Sequence, residues 1–171
     1  MNHVRSGFVL MAAAAAASCG PAAVGPQQAA SAPVERLEAT SAPDFRPYVG
    51  QTYAAFAAAP AMRRYSLQSL GVPAAEQARF THSMSNPAPG LVAGGGGAEA
   101  LVFSGCAPSG CLEGLSVVAI DMSSGDVFIG VSDAAGAEKL VPNERLEALL
   151  RLTSPSQTWD DPVRPPATAA P

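Results

Sequence analysis

The chain has 171 residues, 48% of them hydrophobic, with a formal net charge of −4 and a pI of about 5.0. No basic stripe runs along it, which argues against nucleic-acid binding, and the mild acidity favours a cationic partner. Much of the apolar share is Ala, which buries little area, so the large apolar residues place one domain of roughly 100 residues between Tyr48 and Leu152.

Residues 1–19 read as an export signal. His3 and Arg5 give a short polar start, and Gly7 to Ala17 supply an apolar run too short to span a bilayer comfortably. Ala16-Ala17-Ser18-Cys19 resembles the lipobox of bacterial lipoproteins, with Ala16 where Leu is usual. In that class a peptidase cuts before the cysteine, whose sulfur carries a diacylglycerol. The resemblance implies a membrane anchor at Cys19, and Gly20 in place of Asp after it implies sorting to the outer membrane. An ordinary secretory signal cut nearby is the alternative. Both readings take the protein out of the cytoplasm, to the periplasmic side of the envelope. The cysteine count agrees: with Cys19 lipidated, Cys106 and Cys111 remain of three cysteines, as a pair in an oxidising compartment. Loss of the signal also removes Arg5, leaving nine basic against fourteen acidic side chains.

Residues 20–45, rich in Ala, Pro, Gln and Ser, read as a flexible tether. The folded domain is expected over residues 46–153. Val49, Tyr53 and Phe56 fall at helical spacing, Pro60 breaks that helix and opens a second, and Met62, Tyr65, Leu67 and Leu70 form the second helix's buried face. Residues 73–84 hold a further helical turn, with His82 near its end as a surface or structural residue. Asn86-Pro87-Ala88-Pro89-Gly90 reads as a connector, and the glycines 94–97 as a loop or wide hairpin turn.

Strands follow at Leu91-Val92, Ala100 to Ser104, Leu115 to Asp121, Val127 to Ser132 and Lys139 to Val141. Their short connections require mostly antiparallel pairing. Val127, Ile129 and Val131 share one face of their strand, Phe128 and Gly130 the other. Asn143 is placed to cap a closing helix with Leu146, Leu149 and Leu150 on its apolar face. The fold class is therefore α+β, an antiparallel sheet of about five strands with helices packed at its side. Residues 154–171 read as a disordered tail in which Trp159 is isolated.

No enzyme constellation emerges, and no cofactor or metal site is expected. No Gly-x-Ser-x-Gly elbow occurs, and the two domain cysteines stand too far apart for a thioredoxin-like motif. A zinc site lacks two further ligands. Glu113, Asp121, Asp126, Asp133 and Glu138 are acidic residues around the turns, read as solvated rather than as a glycosidase pair.

The feature that stands out is Cys106-Ala107-Pro108-Ser109-Gly110-Cys111. A disulfide between Cys106 and Cys111 would hold the four residues between them as a stiff tip, suited to entering another protein's cleft, or would act only as a staple. With the export signal, the paired aromatic helices, the hairpin and the closing helix, this pattern resembles the Ivy family, inhibitors of vertebrate (C-type) lysozyme, over roughly Tyr48 to Leu152. The resemblance implies a periplasmic, often homodimeric α+β protein whose loop enters the lysozyme cleft. The family's hexapeptide is Cys-Lys-Pro-His-Asp-Cys, and its histidine hydrogen-bonds the catalytic carboxylates. Cys106, Pro108 and Cys111 match it, while Ala107, Ser109 and Gly110 stand where the family has lysine, histidine and aspartate. The expected partner is lysozyme or another muramidase, with weaker inhibition than the family's or none.

Overall fold

The structure, a computed structural model, describes residues 42–95 and 97–161. Cys19, the signal, most of the tether and the tail beyond residue 161 lie outside the described residues. After a short 3-10 turn at Arg46–Tyr48 come helix α1 (Tyr53–Ala58), a second 3-10 segment (Pro60–Tyr65) and helix α2 (Ala74–Ser83). Six strands follow, β1 (Asn86–Pro87), β2 (Leu91–Gly95), β3 (Ala98–Ala107), β4 (Gly110–Asp121), β5 (Val127–Asp133) and β6 (Gly136–Val141), and then helix α3 (Glu144–Thr153). The Thr52 hydroxyl accepts the Ala55 N–H at the start of α1, and the Asn143 side chain accepts the Leu146 N–H at the start of α3. After α1, Ala59 is extended and Pro60 starts the tighter 3-10 winding, which replaces the longer second helix expected from sequence.

The sheet is antiparallel throughout its pairings, in the order β1-β3-β4-β5-β6, with β2 also paired to β3. The sixth strand, absent from the sequence reading, is Asn86–Pro87, which lies against Cys106 and Gly105. A proline is tolerated there because the strand is at the edge.

Helices cover both faces of the sheet rather than one. On the first face, Leu101, Phe103, Val118, Ile120 and Ile129 pack against Phe45, Tyr53, Phe56, Met62, Tyr65 and Phe80 of the N-terminal segment, α1, the 3-10 segment and α2. The aromatic stripe of Tyr53, Phe56 and Tyr65 is thus core. On the second face, Ala93, Ala100, Val102, Leu115, Val117, Ala119 and Phe128 meet Leu146, Leu149 and Leu150 of α3, together with Trp159. The alternation of side chains along each strand produces this division. In β5, as expected, Val127 and Ile129 join the first layer and Phe128 the second. The second face is built largely of small residues, which lets α3 and an indole lie close to the strands.

The ordered chain is longer at both ends than residues 46–153. Phe45 is buried in the aromatic layer, with Ala42 against it. Trp159 is buried too, its ring edge-on to Phe128 at 5.5 Å between centroids. Apolar area removed from water supplies the reason in both cases. Residues 42–46 lie beside the β4–β5 turn: Ala42 approaches the position of a Cβ at Gly125, and Asp44, Phe45 and Arg46 line an open hollow with Met122 and Ser123. That turn is at the opposite end of β4 from the β3–β4 turn. No described helix is long and apolar enough to cross a membrane.

Candidate functional site

The β3–β4 hairpin carries the hexapeptide. Ala107 pairs with Gly110, so Pro108 and Ser109 are the two central residues of the turn. Proline holds its φ near −65° and forbids the positive φ that the usual two-residue hairpin turns need at this position. Gly110, at φ 120°, supplies the left-handed residue instead. Cys106 and Cys111 lie at bonding distance across the hairpin, with 4.5 Å between their Cα atoms. In the chain-entropy model a bridge closing so short a loop contributes about 2 kcal/mol.

The sequence predicts a partner-binding tip of four residues, Ala107 to Gly110. Pro108 and Ser109 are exposed and Gly110 is partly so, but Ala107 is fully buried and is removed from the contact surface. Its side chain faces Gly114, where a Cβ would approach within 3.2 Å, and its carbonyl accepts the Asn86 amide at 3.0 Å. Ala107 is therefore part of the foundation of the tip.

Beyond the turn the ladder jumps. Cys106 faces Leu115 while its neighbour Ala107 faces Gly110, so residues 111–114 have no partner in β3. Pairing resumes on the other side of β4, where Gly114 faces Asp133. The three residues Cys111, Leu112 and Glu113 form an outward bulge, all of them exposed. Nothing in the hydrophobic alternation announces it: Leu112 and Glu113 resemble an ordinary strand start.

An ion-pair strap lies beside this bulge. Arg79 of α2 donates from its Nε and one terminal nitrogen to the two Asp133 carboxylate oxygens at 2.9 and 2.8 Å, and its other terminal nitrogen pairs with Glu138. Asp133 and Glu138 are thus committed to holding the β5–β6 hairpin on α2. Asp121, at the far end of the sheet, accepts the Ser123 and Ser124 N–H groups and pairs with Arg145 at 3.1 Å. Asp126 accepts the Ser124 hydroxyl at 2.8 Å. The five acidic turn residues therefore divide between the two ends of the sheet.

These pairings predict an acid-sensitive fold. Arg79 hydrogen bonds hold Asp133 below the ordinary carboxylate range, against burial, helped by the Ala135 N–H and the charges of Arg79 and His82. Glu147 is lowered by Lys139 first, again against burial, with Arg151 assisting. For Asp121 burial is the largest influence and acts upward, but the Ser123 and Ser124 hydrogen bonds and the Arg145 charge together outweigh it. A carboxylate depressed in the folded state stabilises above its unfolded value, near 4, and loses that contribution as pH falls through the folded value. Urea midpoints should therefore drop steadily below about pH 4. Asp133→Asn should cost about 1.5–3 kcal/mol at pH 7 and make the acid slope shallower. An unchanged slope in that variant would remove Asp133 from the explanation.

No family model, curated protein or solved structure matches the chain.

Proposed function

We propose that the protein is an exported, lipid-anchored binding protein of the lysozyme-inhibitor kind, whose Pro108–Ser109 tip enters the cleft of a muramidase. The observation that carries this reading is an exposed two-residue turn closed by a disulfide at the end of a long hairpin. Such a tip has little conformational entropy left to lose on binding. The acidic excess of the chain complements the usually cationic lysozymes and favours rapid encounter. Ser109 can donate one hydrogen bond to a carboxylate, but it is short and uncharged, so inhibition is expected to be weaker than a histidine would give.

The test is a titration of purified domain against a C-type lysozyme and, separately, a lytic transglycosylase. At least one should be inhibited in the micromolar range. Ser109→Trp should abolish the effect by blocking entry, and the double Cys106→Ser, Cys111→Ser variant should weaken it about tenfold as the tip loosens. No inhibition of either enzyme at high micromolar concentration overturns the reading.

A second reading makes the disulfide a staple in an envelope lipoprotein with another binding role. The burial of Ala107 and its contact with Gly114 favour it, since they give the bridge structural neighbours to hold. Under this reading the cysteine variant loses stability, while Ser109→Trp changes nothing measurable in the envelope.

A further inference from the structure

We infer that the bulge beside the tip, Leu112 with Glu113, is a second partner-contacting element, and that it selects a cationic cleft with an apolar recess at its rim. This rests on the reading that the tip enters a protein cleft. Leu112 has a relative exposure of 102%, against 71% for Leu152, 45% for Val49 and 43% for Val92. Those three retain some contact with their surroundings; Leu112 retains essentially none. A single surface leucine is unremarkable by itself. Its location is what carries the inference. It stands at the middle of a bulge that belongs to neither ladder, directly after the exposed Cys111 and a few residues from Pro108 and Ser109.

The bulge is pinned at both ends. Cys111 is bonded to Cys106, and Gly114 is paired with Asp133. Gly114 also lies so close to α2 that a Cβ there would come within 2.6 Å of the Ser83 Oγ. A leucine held out by such anchors is presented with much of its backbone ordering already complete, as is the tip. Glu113 supplies the charge. It is exposed and, among the described residues, has no ion pair or side-chain hydrogen bond, whereas nearby Asp133 and Glu138 are both occupied by Arg79. A free carboxylate next to an outward apolar side chain fits a recess flanked by Lys or Arg. A rim charge of this kind acts mainly on association rate and its salt dependence, and the apolar anchor on dissociation.

The experiment measures binding of the full domain to immobilised C-type lysozyme and, separately, to a lytic transglycosylase, for wild type, Leu112→Ser, Glu113→Gln and Ser109→Trp. Leu112→Ser should raise Kd about tenfold through faster dissociation, with the urea midpoint unchanged because the side chain contributes nothing to the fold. Glu113→Gln should slow association at low salt and make it less salt-dependent. If Ser109→Trp abolishes binding while both bulge variants bind as wild type, the tip reading stands and this inference is overturned. If wild type binds and none of the three variants differs, both fall. Absence of wild-type binding to either enzyme overturns both as well.

Discussion

Trp159→Ala should destabilise the domain by about 3–5 kcal/mol, although the residue lies six positions beyond the end of the last helix. The indole is buried against β5, edge-on to Phe128 and seated over Gly130. Removing it leaves a hole that small neighbours such as Gly130 cannot fill. Circular dichroism in urea would read the loss; Trp159 is the chain's single tryptophan, so its own fluorescence reports unfolding in the wild type. Gly130 provides a cross-check. A Cβ there would overlap the indole ring, so Gly130→Ala should cost about 1–3 kcal/mol in the wild type. With Trp159 already replaced, the same alanine should be neutral or favourable, a strong coupling between two positions in contact. Additive effects would show that the indole is not seated on Gly130. A chain ending at Thr153 should be destabilised about as much as Trp159→Ala.

The second large effect is expected at Phe56, fully buried at the centre of the aromatic layer. Its ring lies 5.1 Å from those of Tyr48 and Phe103 and 5.7 Å from that of Tyr65, with Phe45 and Tyr53 at 6.4 Å. Tyr53 cannot easily shift to compensate, because its hydroxyl donates to the Tyr65 carbonyl at 2.8 Å. The burial of that phenol pushes its pKa up, which keeps it neutral and donating. Phe56→Ala should therefore cost about 3–5 kcal/mol. That is a large part of the roughly 5–15 kcal/mol typical of a whole domain. Phe56→Leu, which keeps most of the volume, should cost clearly less. A small loss in the alanine variant would mean that the α1 layer repacks freely.

The parts of the fold readable in the sequence are those written in periodicity or in local chemistry. Tyr53, Phe56 and Tyr65 announce a buried helical face, and Asn143 ahead of Leu146, Leu149 and Leu150 announces a capped amphipathic helix. The Asp121-to-Asp126 turn is written in its own Ser and Gly residues, with Gly125 at φ 76°. What escaped has no period. β1 is two residues long and contains a proline, so its pairing depends wholly on the strand it meets. The register jump after Cys106 arises from a bridge and a glycine approach that no local pattern encodes. A lone Trp159 among Ser, Thr and Asp looks like tail until it is matched with a glycine inside a strand. Gly130 was the available signal, because a strand-interior glycine often marks close approach by another group. The same limit applies to the site: the hexapeptide names the tip, but only the register divides buried Ala107 from exposed Leu112.

The two ends of the β4 strand face different worlds. The described chain enters beside the β4–β5 turn, whereas Pro108 and Ser109 lie beyond the other end, about 30 Å away along a strand of this length. If Cys19 carries the proposed lipid anchor, the 23 residues up to Ala42, even fully extended, bound the excursion of the domain to about 80 Å. The tip would then sweep a thin shell over the membrane instead of the whole compartment. Within that shell a partner also held near the surface meets it at a high effective concentration, so confinement can replace several decades of intrinsic affinity. On the proposed reading of an anchored inhibitor, a serine at the tip would then need less intrinsic affinity than a freely diffusing inhibitor requires.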